Sequence, residues 1–359
     1  MVVALILAGG RGERFWPKSR KKSPKHLLKL YGKKSLLTQT VKRLKSLAAP
    51  EHIWVVTNQE QANLIRDVWK REAVRNSRIL IEPEARDTAA AIGLAALKME
   101  KIYGPETIML VVSADHWIGK TKVFQESLRR GIDLCRQKKG LVTVGVRAVR
   151  PEIGFGYIEK GRPHPAIPRV FKVKRFIEKP GLARAKNFSR RSKYLWNSGI
   201  FVWKIEEILA AFKKYFPAGF KYLSQIEKES GRPNKQKTIL EIYRRVKKVS
   251  IDYGIMEKAE NVWVVEGKFP WEDVGSWAAW SGIQKKGASG NVLLGEVIPI
   301  KVKNSIIWSD KRLVAALGID NLIIVAEKDA VLVCGKEHSQ EIKKITARIR
   351  QKKKWQKYI

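Results

Sequence analysis

Cysteine is nearly absent, at 2 of 359 residues, and acidic residues are scarce, 34 against 72 Lys and Arg. Cys135 and Cys334 lie far apart, each in an apolar segment, which excludes a disulfide framework and suits a reduced, cytoplasmic protein. No apolar run approaches the roughly 18 to 20 residues needed to span a bilayer, so no membrane partner is expected. The run Val2 to Ala8 is too short for a signal-peptide core; its continuation into glycines reads as a first β-strand. The shortage of acids leaves a net charge of +38, which invites a nucleic-acid partner. The basic residues nevertheless run along the whole chain, densest at Lys18 to Lys29 and Lys343 to Lys357, without zinc-finger spacing or an RNP aromatic motif. Salt-sensitive, nonspecific binding follows from such charge; no specific nucleic acid is expected. A homodimer is left open.

What is present is a chain rich enough in apolar residues, 44%, to build a packed core, and long enough for one large domain with a smaller appendage. Short β-branched runs alternate with helical patterns up to about Gly145. This predicts an α/β fold, Rossmann-like, with a mixed, mostly parallel sheet. Strands are expected at Val2 to Leu7, Ile53 to Val56, Arg78 to Ile81, Thr107 to Val112 and Leu141 to Val146, and helices at Ser35 to Leu47 and Asp87 to Tyr103. After Pro151, strands at Gly156 to Lys160, Val170 to Ile177 and Leu195 to Lys204 should add antiparallel pairs, with helices near Ile205 to Tyr215 and Leu240 to Val246. From about Gly287, runs at Val292 to Ile300, Ser305 to Trp308, Leu313 to Ala316, Leu322 to Ala326 and Val331 to Cys334 suggest a small C-terminal β-rich domain, a short β-helix or a sandwich, closed by a basic helix. The linear division places a catalytic domain at 1–285 and the β-rich domain at 286–359.

Several segments carry chemistry. Leu7-Ala8-Gly9-Gly10-Arg11-Gly12-Glu13-Arg14 follows the first strand directly, with Pro17 and Lys25 beyond it. Glycines let backbone amides approach oxygens, and Arg14 and Lys25 can neutralise a triphosphate. The loop is no Walker A, because no Gly-Lys-Ser/Thr ends it, and Phe15 stands where a dinucleotide fingerprint needs glycine. Asp87 is a suitable helix-capping residue, so backbone N–H groups near Thr88 could meet an anion or a base edge. Asp115 ends a strand where α/β ligands bind, and Asp273 is its best distant carboxylate partner; two carboxylates plus phosphate oxygens suit Mg²⁺. His116 has no metal-ligand partner at useful spacing. Glu178 can accept sugar hydroxyls beside Lys179, which can meet an anionic phosphate. Tyr157 and Trp196 could wall a pocket, although aromatics in strands more often belong to the core.

The run Leu7 to Pro17 with Pro24-Lys25 resembles the sugar-nucleotide pyrophosphorylase pattern L-A-G-G-x-G-x-R-x-x-P followed by P-K, and Phe15-Trp16-Pro17 resembles its mannose branch. Glu82-Pro83 with Arg86-Asp87-Thr88-Ala89, then Ser113-Ala114-Asp115-His116, Gly154 to Glu159, Phe176 to Pro180, Trp196 to Gly199 and Trp271 to Trp277 are similar to later motifs of that family, in the family's order. The chain departs from the pattern at His26, where the family has Gln, at Ala90, where it has Pro, and at Ser113, also Pro there.

The resemblance implies nucleotide binding by Leu7, Ala8, Gly9, Gly10, Gly12, Glu82, Pro83, Asp87, Thr88 and Asp115. It implies catalytic charge from Arg14 and Lys25, and Mg²⁺ on Asp115 and Asp273. It implies sugar-phosphate binding by Gly156, Tyr157, Glu178, Lys179, Asn197 and Gly199. The reaction implied joins GTP and α-D-mannose 1-phosphate into GDP-mannose and pyrophosphate, by in-line attack on the α-phosphorus. The alternatives are another nucleotide or hexose 1-phosphate, or a noncatalytic relative that binds sugar nucleotides. About 80 residues beyond the catalytic portion are too few for a fused isomerase domain, so none is expected.

Overall fold

Runs of Val, Ile and Leu, buried on both faces, are what a central sheet covered by helices requires. The computed structural model, which describes residues 1–230, 232 and 234–359, forms two compact units. The first comprises Met1–Gly9, Gln39–Ala114 and Ile118–Trp271, and the second Gly10–Thr38, Asp115–Trp117 and Glu272–Ile359.

The first unit is built on a nine-stranded sheet. Its strands are β1 (Val2–Leu7), β2 (Ile53–Thr57), β3 (Arg78–Ile81), β4 (Ile108–Ser113), β5 (Leu141–Arg147), β6 (Tyr157–Pro163), β7 (Val170–Ile177), β8 (Tyr194–Lys204) and β9 (Val262–Gly267). They are ordered β3-β2-β1-β4-β8-β5-β9-β7-β6. β1 lies parallel to β2 and β4, and β2 to β3, which is the doubly wound pattern expected of the N-terminal third. β8 runs antiparallel between β4 and β5, and β6 and β7 pair antiparallel at the edge, as the Gly- and Pro-punctuated region predicts.

The helix Asp87–Tyr103 forms over the expected range and is apolar around most of its circumference, with Ala89 to Leu97 buried throughout. Gly93 is where it is approached most closely: a methyl there would lie 2.6 Å from Leu223 and 3.0 Å from Phe212, so the helices Pro217–Glu229 and Ile205–Tyr215 pack against bare backbone.

In the second unit, β10 (Val292–Leu294), β12 (Ile306–Ser309) and β14 (Leu322–Ala326) stack in parallel, with Val292, Ile306 and Ile323 in register and buried. β11 (Val297–Ile300) and β13 (Val314–Leu317) form a second parallel pair, and β15 (Val331–Gly335) turns back antiparallel to β14. These are the coils of a short β-helix. Their core joins Phe15, Trp16, Leu28 and Leu30 to Trp277, Trp280 and Trp308, and the terminal helix Ile342–Gln351 adds Ile342 and Ile349. Among the described residues, no helix is long and apolar enough to cross a membrane.

Candidate active site

In the second unit, the glycine loop and four distant segments line one cavity of about 450 Å³. Gly12 adopts φ 67°, and a Cβ there would lie 2.2 Å from the Cβ of Lys25. Only glycine therefore lets the loop close over the segment carrying Lys25. Lys25 is 5% exposed, and its Nζ donates to Asp115 Oδ2 at 2.8 Å and to the Asp273 carbonyl at 2.9 Å. One ammonium thus holds together both carboxylate-bearing segments that the sequence singled out, one of them through its backbone. Burial alone would push the Asp115 carboxyl up, but the charge of Lys25, helped by His116 and His26, holds it at about 2. Arg14 Nη1 reaches the Gly275 carbonyl at 3.4 Å, and Asp273 Oδ1 accepts the Gly275 N–H at 2.8 Å.

His26, where the resemblance expects Gln, is buried with no hydrogen-bond partner on Nε2 among the described residues. Burial pushes it down to about 4, with Lys25 adding and Asp115 opposing, so it is a neutral imidazole at pH 7. Among the described residues no cluster of three or more His, Cys, Asp or Glu forms a preassembled metal cage. Asp115 and Asp273 both line the cavity, and two hard carboxylate donors on one cavity are of the kind that suits Mg²⁺.

In the first unit, the C-terminal end of β1 carries Leu7, Ala8 and Gly9. Ala8 donates to the Val56 carbonyl, and a methyl on Gly9 would lie 3.2 Å from Glu82 Oε1. Glu82 follows β3 and is buried, and Tyr243 Oη donates to its Oε2 at 3.1 Å. Asp87 sits at φ 66°, and its Oδ1 accepts the Thr88 N–H at 2.7 Å. The Ala89 amide at this helix start is committed, donating to the Val249 carbonyl at 3.2 Å, and the Thr88 hydroxyl accepts the Ile251 N–H at 2.8 Å. Pro83 is half-buried and Ala90 wholly buried.

Burial pushes the Glu82 carboxyl from 4.5 up to about 7, against the pull of the Tyr243 hydrogen bond and with Asp87 adding. A carboxyl raised in the folded state contributes stability that is present below its unfolded pKa and lost as pH rises through the folded one. Glu82→Gln, neutral at every pH and still able to accept from Tyr243, should therefore gain on the wild type between about pH 5 and 8, by on the order of 2 to 3 kcal/mol. Urea unfolding of the ligand-free protein at both pH values reads this; a difference that does not change with pH would contradict it.

A second polar cluster in this unit joins Asn197 to three segments. Its Nδ2 donates to Asp252 Oδ1 at 2.7 Å, its Oδ1 accepts from Thr143 Oγ1 at 2.9 Å, and its N–H donates to the Gly156 carbonyl at 2.8 Å. Glu178 Oε1 pairs with Lys179 Nζ at 3.3 Å, while Oε2 is buried without a partner among the described residues, an acceptor left open. A methyl on Gly156 would lie 2.3 Å from that oxygen. Burial, with repulsion from Asp252, pushes Glu178 up to about 7, and burial pushes Asp252 up to about 6. Lys179 adopts φ 46° and Gly199 φ 65°, so the backbone bends at both positions. Tyr157, by contrast, is wholly buried, with its ring 5.4 Å from Phe188 and its hydroxyl accepting from the Glu152 N–H. Tyr243 and Asp252 escape sequence reading: one looks like a core aromatic on a helix, the other a lone acid before a strand.

Two family profiles match the chain: one described as nucleotidyl transferase over residues 3–289, and one described as mannoseP isomerase/GMP-like beta-helix domain over residues 295–349. The mannose-1-phosphate guanylyltransferases of Escherichia coli and Klebsiella pneumoniae are each 36% identical over 353 residues, covering 98% of this chain and 74% of theirs. A crystal structure from Thermus thermophilus, described as mannose-1-phosphate geranyltransferase, superposes with a TM-score of 0.86 at 32% identity, over 97% of this chain and 99% of that one.

Proposed function

This chain belongs to the nucleotidyl transferase family, among relatives of the mannose-1-phosphate guanylyltransferases, and we propose that it transfers the guanylyl group of GTP to α-D-mannose 1-phosphate, making GDP-mannose and pyrophosphate. The observation that carries this reading is Lys25, a buried ammonium joining Asp115 to the Asp273 backbone in a cavity lined by further cations under the Gly12 turn. Transfer to a phosphorus asks for little covalent chemistry from the protein; it asks for position and for charge where charge develops.

Each residue then has a task. Amides of the loop Gly9 to Gly12 hold the phosphate oxygens, and Arg14 and Lys25 offset the charge that builds at the α-phosphorus. Asp115 and Asp273 would hold Mg²⁺, which supplies further positive charge to the phosphates when bound. Glu82, steadied by Tyr243, accepts hydrogen bonds from guanine N–H groups; Pro83, Asp87 and Thr88 shape that end. Glu178 offers its open oxygen to a sugar hydroxyl, Lys179 meets the 1-phosphate, and Asn197 with Gly156 and Gly199 holds the ring. Tyr157 supports this cluster from the core. Both cysteines are free thiols, which suits the cytoplasm.

A base read through a buried acceptor should be selective. With mannose 1-phosphate as acceptor, GTP should exceed UTP and dTTP in kcat/KM by at least about a hundredfold, the penalty of leaving a buried polar group unpaired. Pyrophosphate release across the nucleotides measures it, and comparable rates with UTP would remove guanine from the account while leaving nucleotidyl transfer in place.

A further inference from the structure

The geometry points to Lys343, on the terminal helix of the β-helix unit, as a phosphate-binding residue that contacts the triphosphate of the nucleotide and the pyrophosphate product. The assignment rests on the reading of the cavity as a triphosphate site. Lys343 lines that cavity together with Arg11, Arg14, Lys25, Asp115 and Asp273.

Three further observations support it. First, Lys343 is the second residue of the helix Ile342–Gln351, whose first turn contains no acidic residue. A cation there opposes the helix dipole, so the position is unfavourable unless an anion answers it. Lys344, beside it, is answered by Glu341. The Lys343 ammonium has no ion-pair or hydrogen-bond partner among the described residues; only its carbonyl is engaged, accepting from Thr346 Oγ1 at 2.9 Å.

Second, two of the other cations of the cavity, Lys25 and Arg14, are already engaged. Lys25 is committed to Asp115 and the Asp273 carbonyl, and Arg14 reaches the Gly275 carbonyl. A triphosphate carries more negative charge than Lys25 and Arg14 offset, and Lys343 joins Arg11 as a further lining cation to meet it.

Third, the helix is fastened to the glycine loop. Glu13, the residue after Gly12, pairs with Arg350 and takes a hydrogen bond from Thr346 Oγ1 at 3.3 Å. Ile342 and Ile349 are buried in the core that contains Phe15 and Trp16, and Trp16 Nε1 donates to the Tyr358 carbonyl at 2.8 Å. The backbone that carries Lys343 is therefore fixed relative to the loop that carries the phosphate-facing amides, and only the side chain has to find the ligand. This gives the β-helix appendage a part in binding the nucleotide.

The test is calorimetric binding of GTP and of pyrophosphate, each with Mg²⁺, to the wild type, Lys343→Gln, Lys343→Arg and Lys344→Gln, followed by steady-state kinetics. Lys343→Gln should weaken both ligands about five- to tenfold, as loss of one solvent-accessible charged hydrogen bond does. KM for mannose 1-phosphate and the melting temperature should stay put. Lys343→Arg should recover most of the affinity, and Lys344→Gln, with the same change of net charge, should bind like the wild type. Unchanged affinity for both ligands in Lys343→Gln, or equal losses in Lys344→Gln, would overturn the assignment while leaving the guanylyltransferase reading intact. A wild-type chain that binds neither ligand would overturn both.

Discussion

Lys25→Met and Asp115→Asn should each lower kcat by about three orders of magnitude, and the double variant should fall no more than about tenfold below either single one. The two side chains form one device. Lys25 Nζ lies 2.8 Å from Asp115 Oδ2, and the lysine is almost wholly buried. Removing the lysine deletes a cation proposed to meet the phosphates and also leaves the Asp115 carboxylate without the charge that answers it. Removing the carboxylate deletes a proposed Mg²⁺ ligand and frees Lys25 to move. Because each loss disables the partner, the effects cannot add.

The same pair has a signature in stability. The Asp115 carboxyl, held at about 2 against an ordinary 3.8, contributes stability that is present above its unfolded pKa and lost as pH falls through about 2. In Lys25→Met that contribution should be missing at neutral pH, so the variant's acid unfolding should begin from a lower plateau. Rates from pyrophosphate release, with unfolding curves to show that the variants are folded, decide the matter. A single variant within tenfold of the wild type, or fully additive losses, would mean that the pair is structural.

Much of the fold is legible in the sequence because its signals are local. β1, β3 and β7 and the helix Asp87–Tyr103 occupy their expected ranges, since each is a run of one residue character ended by a turn former. The run Val292 to Ile300 reads as one strand and forms two. Gly295 separates them at φ 84°, where a Cβ would lie 2.1 Å from the Ser309 carbonyl oxygen of the next coil. That corner is a long-range constraint, which a single run of apolar residues does not reveal. β9 is absent from the strands expected of the sequence; its Val262-Trp263-Val264-Val265 run is short, and its place beside β5 is set by pairing with residues more than a hundred positions away.

The site divides in the same way. The loop from Leu7 to Arg14 is contiguous, and Asp115 and Asp273, which comparison of motifs singles out, line the same cavity as Arg11 to Arg14. Phe15-Trp16-Pro17 reads as a family mark in the sequence; in the structure Phe15 and Trp16 belong to the core with Trp277, Trp280 and Trp308, which groups the loop with the C-terminal segment by packing. Tyr243 reaches Glu82 across 161 positions, and Asp252 reaches Asn197 across 55, and neither contact leaves a trace in local pattern.

The largest effect expected is the presence of one product and the absence of another. In a direct transfer, the phosphate oxygen of mannose 1-phosphate displaces pyrophosphate from the α-phosphorus. Every GTP consumed must then yield one GDP-mannose and one pyrophosphate, with no free GMP and no loss of the sugar's phosphate. Without the sugar phosphate, GTP should persist, because the acceptor of the guanylyl group is then missing. Phosphorus NMR of the wild-type protein with GTP, mannose 1-phosphate and Mg²⁺ resolves all these species at once. GDP-mannose and pyrophosphate should rise in equal amounts, whereas GTP left intact, or broken down to GMP or GDP without a sugar nucleotide, would contradict direct guanylyl transfer.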